Sequence, residues 1–359
     1  MKLHDFGLER FFARHEFAVK HLMCASDCES MTTEALLAFE PGSAELLLEQ
    51  TLGYTETLGN PALRAAIAGL YTRVKPDQTL VFSGAQEPIF AFMNVVLEPG
   101  DGVVVHVPCY QSLHEVGRAV GAEVKPWVAR EANGWQLDPD ELPKLCTEKT
   151  KVLVINSPHN PTGAVVTGDR FDAIVKFCRA RGLWLFSDEV YRGLEHDQVV
   201  KNAAACDVYE KAVSLGTTAK TYGLAGLRVG WIATQDLALI GRLAAFKDYL
   251  TICNSAPGEL LATVALKHHE KLAARSRELV RANLTLFEAF ARPHGINFVR
   301  PTGGSVLFAH RKGGERWCEE LLHLRGVCFA PGRLFGGDPD HFRVGLGRTT
   351  FAAGLDAIR

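Results

Sequence analysis

Lys220 stands in a run of small and hydroxyl residues, GTTAKTYGLAGLRVGW (216–231), with Arg228 eight positions further on. Small residues let a backbone come close to a ligand, so the stretch offers an amine for one end of a bound molecule and a fixed positive charge for the other. Asp188 follows directly on the apolar run LWLF, where a buried, unpaired carboxylate would be costly, so a partner for it is implied. In NSPHNPTG two X-Pro dipeptides force extended or turn geometry and hold Asn160 in a loop. In SGAQEP a turn at Ser83 and Gly84 leads into a helix, whose free N–H groups and dipole suit an anion such as phosphate. Tyr110, in PCYQS, can lie over a flat ligand or simply pack.

The elements that must position these residues alternate along the chain. TLVF (79–82), GVVVHV (102–107), AEVKPWV (122–128), KVLVIN (151–156), LWLFS (183–187), AVSL (212–215) and VGWIAT (229–234) read as strands of a mostly parallel sheet buried on both faces. Helical spacing fills the intervals: NPALRAAIAGLYTRV, with Asn60 as N-cap and Pro61 at the first position, then EPIFAFMNVVL, YQSLHEVGRAV and GDRFDAIVKFCRARG. This is an α/β layered architecture. From Gly258 to about Arg292 no glycine or proline interrupts, which predicts one long helix, followed by strands SVLFAH and FRVGLG. A large α/β domain over 45–255 is therefore expected, with a smaller α+β domain formed by 1–44 and 256–359. The candidate residues all follow strands, and ligands of doubly wound sheets bind beyond the strands' carboxyl ends.

One ligand uses every one of these loops. Pyridoxal phosphate needs a lysine amine for its aldehyde, an acid against its ring nitrogen, donors to its ring oxygen, a stacked ring and an anion pocket. The order G-A-Q, P-x-Y, N-P-T-G, D-x-x-Y, a lysine in a small-residue loop and an arginine eight residues later resembles the class I/II, fold-type I aminotransferases, from about Tyr54 to Arg343. That resemblance implies a mostly parallel seven-stranded sheet between helices and pyridoxal 5'-phosphate as cofactor. It makes Lys220 the residue that bonds the cofactor and moves the substrate proton, with Asp188 on the ring nitrogen. Asn160 and Tyr191 would then serve the ring oxygen, and Tyr110 the ring face. Gly84, Ala85, Gln86, Thr217 and Arg228 would hold the phosphate, with Ala85 acting through its backbone because it has no hydroxyl. Tyr54, in GYTETLG, matches a tyrosine that reaches the neighbouring subunit's phosphate, which implies a homodimer with shared sites. Arg343, together with Asn160, would hold the substrate carboxylate, and Arg348 competes with Arg343 for that job.

The reaction so implied is amino transfer between an α-amino acid and a 2-oxo acid. The N-terminal segment departs from the pattern: a glycine-proline motif of many relatives is replaced by HLMCASDCESM. This segment and HVPCYQSLHEV resemble a subgroup that includes capreomycidine synthase, so elimination and cyclisation on the same cofactor is the alternative reading. A non-catalytic sensor fused to a DNA-binding module is disfavoured, since the residues before Tyr54 show no basic helix-turn-helix. Glycines 223, 226 and 230 lack the G-x-G-x-x-G spacing of a nicotinamide site.

Composition fits an ordinary globular protein. The 359 residues are 47% hydrophobic and 22% charged, with formal net charge −2, which favours neither nucleic acid nor an anionic membrane as partner. No apolar run is long enough to span a bilayer, and the first residues mix charges with phenylalanine unlike a secretion signal. Nine cysteines without a C-x-x-C pair imply reduced thiols, a cytoplasmic protein and no metal site.

Overall fold

In a computed structural model, which describes residues 1–197 and 202–358, the seven apolar runs become one seven-stranded sheet. Its strands are β1 (Thr79–Ser83), β2 (Gly102–Val107), β3 (Glu123–Val128), β4 (Thr150–Asn156), β5 (Trp184–Asp188), β6 (Ala212–Thr217) and β7 (Val229–Ala233). They lie in the order β1-β7-β6-β5-β4-β2-β3. β7 runs antiparallel to both its neighbours, while the pairs from β6 to β3 are parallel. Every residue of β6 and β7 is buried, as a sheet covered on both faces requires.

The helices that cover it follow from their caps and apolar faces. Asn60 Oδ1 accepts the Ala62 N–H at 2.9 Å and Pro61 opens the helix Pro61–Ala68. Helix α1 (Gly7–His15) buries Leu8 and Phe11, whereas helix α2 (Gln86–Val96), leading out of β1, buries Ile89, Ala91, Phe92 and Met93. Ser112–Val120 and Gly168–Arg181 connect later strands. A four-stranded antiparallel sheet is built from Asn297–Phe298, Val306–His310, Ala330–Pro331 and His341–Gly345.

The long helix expected over 258–292 is two helices. Ala256–Lys267 starts two residues earlier, N-capped by Ser255, and stops at His268, whose ψ of 23° is not helical; His269–Ala291 then continues. The break has a tertiary cause: the His268 ring pairs with Glu40 Oε2 at 3.1 Å, and Lys267 reaches the other oxygen of that carboxylate at 2.6 Å. His268 is therefore engaged with Glu40.

The N-terminal segment makes two kinds of contact. His21–Leu22 pairs in parallel with Val327–Cys328, beside the smaller sheet. α1 turns instead toward the loop after β2, where the Gly7 N–H donates to Gln111 Oε1 at 2.9 Å and Gln111 Nε2 donates to the Asp5 carbonyl at 2.9 Å. Among the described residues no helix is long and apolar enough to cross a membrane, and the nine cysteines form no disulfide.

Candidate active site

The carboxyl ends of the central strands are in register, so the loops that leave them converge. Asn156 at the end of β4 lies opposite Asp188 at the end of β5, and Asp188 lies opposite Leu215 of β6. Above these ends opens a cavity of about 610 Å³, within the usual range for small-molecule sites. Ala85, Gln86, Tyr110, Asn160, Asp188, Tyr191, Thr217, Lys220 and Arg228 all line it. Four residues singled out from sequence do not. Gly84 lies beneath Arg228, Arg343 is buried behind Asn160, Arg348 is paired with Asp27, and Tyr54 is 91% exposed on the surface.

Lys220 is tied to the N-terminal segment. Its Nζ donates to Ser26 Oγ at 2.9 Å, and its carbonyl accepts the N–H groups of Cys28 and Gly223, each at 3.3 Å. Gly223 has φ 67°, and a Cβ there would strike the Glu29 carbonyl, so this turn requires glycine. Burial holds the lysine amine below its ordinary pKa; the carboxylates of Asp27, Glu9 and Asp188 oppose the shift, and the Arg343 guanidinium adds to it.

Asp188 is buried, and among the described residues its carboxylate accepts one hydrogen bond, from the Val190 N–H at 3.2 Å. Burial pushes its pKa up to about 7, against the pull of Lys220. Tyr191 is buried beside it, with a hydroxyl that lies near Ser26 but makes no hydrogen bond. Asn160 is fixed from two sides: its N–H donates to Asn156 Oδ1 at 2.7 Å, and its Oδ1 accepts from Arg343 Nη1 at 3.0 Å. That use of Oδ1 leaves the amide NH₂ free to donate. Arg343 also donates through Nη2 to the Cys24 carbonyl at 2.7 Å, its Nε is unpaired, and its guanidinium lies 4.8 Å from the Phe335 ring centroid. Arg348, the alternative carboxylate anchor, holds Asp27 in a bidentate pair at 2.8 and 3.0 Å.

At the other end of the cavity Ala85 caps α2, whose first N–H groups have no intrahelical partner. Arg228 is exposed, in a left-handed conformation with φ 53°, and its guanidinium lies where a side chain on Gly84 would be. Thr217 Oγ donates to the Val229 carbonyl at 2.8 Å and accepts the Ala219 N–H at 3.2 Å, so its hydroxyl would have to leave Val229 to meet an anion. Tyr110 donates its hydroxyl to Glu9 Oε1 at 2.9 Å, and its ring lies 4.9 Å from Phe6.

These residues fit the cofactor expected from sequence. A buried carboxylate with one backbone donor suits a protonated ring nitrogen, the unpaired Tyr191 hydroxyl and the Asn160 amide suit a ring oxygen, and the α2 terminus with Arg228 suits a phosphate. Gly84→Ala tests that last fit: a Cβ would displace the Arg228 guanidinium at a residue already at φ 79°. Cofactor affinity, measured by equilibrium dialysis, should fall about tenfold or more, as expected from losing one charge-assisted contact.

Sequence reasoning missed the wall opposite Lys220. Phe6, Glu9, Arg10, Phe12 and Glu16, from α1 and its two caps, line the cavity beside Ser26 and Asp27 of the HLMCASDCESM segment, which sequence did single out. No local motif marks them, because what aims them is the long-range docking of α1 on Tyr110 and Gln111.

Comparison with known proteins agrees with this geometry. The model of the family described as aminotransferase class I and II matches residues 22–357. Capreomycidine synthase of Streptomyces vinaceus is 33% identical, covering 98% of this chain and 92% of the relative. Arginine–pyruvate transaminase AruH of Pseudomonas aeruginosa is 31% identical over 84% of this chain and 79% of its own. Among solved structures, a PLP-dependent aminotransferase from Streptococcus suis superposes with TM-score 0.94 at 31% identity, covering 100% of this chain and 97% of that one. The PLP-dependent cyclase OrfR gives TM-score 0.92 at 29% identity, with the same coverage.

Proposed function

The chain belongs to the class I and II aminotransferases, pyridoxal 5'-phosphate enzymes of fold type I, and from that premise we propose a residue-level account of amino transfer between an α-amino acid and a 2-oxo acid. The observation that carries it is the convergence of Lys220, Asp188, Tyr191, Asn160 and Arg228 on one cavity. When bound, the cofactor supplies an aldehyde for the substrate amine and a ring that accepts the electron pair left when the Cα–H bond breaks.

Lys220 would hold the aldehyde end of the cofactor, and its Nζ would take and return the substrate's Cα proton, a role helped by the burial that lowers its pKa. Asp188 would keep the ring nitrogen protonated. Tyr191 and the Asn160 amide would donate to the ring oxygen, Tyr110 would cover the ring, and Gly84, Ala85, Gln86, Thr217 and Arg228 would hold the phosphate. Arg343, oriented by Asn160, grips the substrate carboxylate. The large domain is 45–255 and the small one 1–44 with 256–359, so that carboxylate bridges the two. Tyr54 serves the partner's phosphate in a homodimer. This is supported by its exposure of 91%, and by the exposed Leu52, Tyr249 and Ile252 on loops joined through the Thr55 to Asn254 contact of 3.2 Å. The unpaired cysteines support a cytoplasmic protein.

The test is a complete cycle. Cofactor absorbance should shift to the amine form with an amino donor and return with a 2-oxo acid, arginine and pyruvate being the first pair to try, in a protein that light scattering sizes as a dimer. The extended similarity to capreomycidine synthase favours a second reading, elimination with cyclisation. In that case a donor is consumed and the aldehyde form persists without any 2-oxo acid.

A further inference from the structure

We propose that Glu9 and Glu16 form a recognition site for the cationic side chain of the donor, so that this enzyme selects basic α-amino acids. The inference rests on the amino-acid substrate proposed above. Glu9 and Glu16 are seven residues apart, two helical turns, and so share the α1 face that lines the cavity, with Phe12 between them. Arg10 also lines the cavity, but it is exposed and lies about 100° around the helix from Glu9.

The other charges that line the cavity, apart from the exposed Arg10, are already matched. Asp27 is neutralised by Arg348, while Asp188, Lys220 and Arg228 face the cofactor. Glu9 accepts a neutral hydroxyl from Tyr110, which fixes its position and leaves its charge. The Glu16 side chain makes no hydrogen bond or ion pair with any described residue; burial and the nearby Asp27 and Glu9 carboxylates push its pKa up, against the pull of Arg348 and Lys220. Tyr191, which faces the cofactor, opens into the same cavity, so the two glutamates line a wall of the substrate site proposed above. Like charges held together with partial burial are relieved by a cationic guest. A long side chain fits this wall by laying its hydrocarbon stem along Phe12 and Phe6 and placing its head between the carboxylates.

The test uses the cofactor-loaded enzyme and ligands that lack an α-amine, so that binding is read by calorimetry without turnover. 5-Guanidinopentanoate and 6-aminohexanoate should each bind about tenfold or more tightly than the neutral isostere 5-ureidopentanoate. The Glu16→Gln variant, which alters no described hydrogen bond, should reduce that preference severalfold. Glu9→Gln with Glu16→Gln should abolish it, with α1 kept in place because glutamine at position 9 still accepts from Tyr110. Equal binding of the three ligands, or a cation preference that survives in the double variant, overturns the proposal. A preserved preference with no spectral change on arginine or lysine would instead reject the amino-transfer reading and leave this one standing.

Discussion

Replacing Lys220 by alanine should abolish the donor-driven change in cofactor absorbance, lowering its rate by about 10⁴-fold or more, the range for loss of a nucleophile that also carries the proton. The variant should still fold. The side chain it loses makes one polar contact among the described residues, to Ser26 Oγ at 2.9 Å, and the loop is held by backbone bonds that alanine keeps, from Cys28 and Gly223 to the residue 220 carbonyl. Thermal melting should therefore move little, and noncovalent cofactor binding should persist through Arg228 and the α2 terminus. Added methylamine should restore part of the rate if the lost step is proton transfer, since a small amine can occupy the space between Ser26 and Asp188. Rescue should strengthen with pH as the free amine becomes available, whereas the parent enzyme reaches its plateau at lower pH because burial depresses its own lysine pKa. Undiminished turnover in Lys220→Ala would remove the central assignment.

The sheet and half of the cavity were legible in the sequence for one physical reason. Strands covered on both faces, such as Val152–Ile155 and Val103–Val105, must be continuous apolar runs, and the residues that end them are fixed beyond the sheet edge by the backbone itself. Asp188, Asn160 and Lys220 could therefore be placed in one site from local sequence alone. The same logic fails where position depends on distant contacts. Nothing within Gly258 to Arg292 forbids a continuous helix; Glu40, more than 220 residues away in sequence, ends it at His268. Likewise Glu9 and Glu16 look like ordinary polar positions of an amphipathic helix until Tyr110 and Gln111 dock α1 across the cavity. Arg343 shows a third case, since its type and position are readable but its present hold on Asn160 and the Cys24 carbonyl is not. The residues proposed to hold the cofactor come from the strand ends and were visible; the wall proposed to meet the substrate side chain comes from a docked helix and was not.

Asp188→Asn should move activity and stability in opposite directions. In the loaded enzyme asparagine cannot carry the charge that keeps the ring nitrogen protonated, so the half-reaction should slow by about 10³-fold or more, a loss of preorganised electrostatics. In the cofactor-free protein the carboxylate is buried with one backbone donor, and burial lifts its pKa from 3.8 to about 7. A carboxyl whose folded pKa lies above its unfolded one contributes its full stability below the unfolded value, and that contribution is lost as pH rises through about 7. At pH 8 the cofactor-free parent thus holds an uncompensated buried charge, which asparagine removes while its side-chain oxygen still accepts from Val190. Cofactor-free Asp188→Asn should accordingly resist urea better than the parent at pH 8, by roughly a few kcal/mol for a shift of this size, and the difference should narrow toward pH 5.5. Loading the parent with cofactor should erase the advantage, because the ring nitrogen then supplies the positive partner. A variant less stable than the parent at pH 8 without cofactor would mean that Asp188 is already compensated within the protein, and its role as the partner of a bound cation would fall with it.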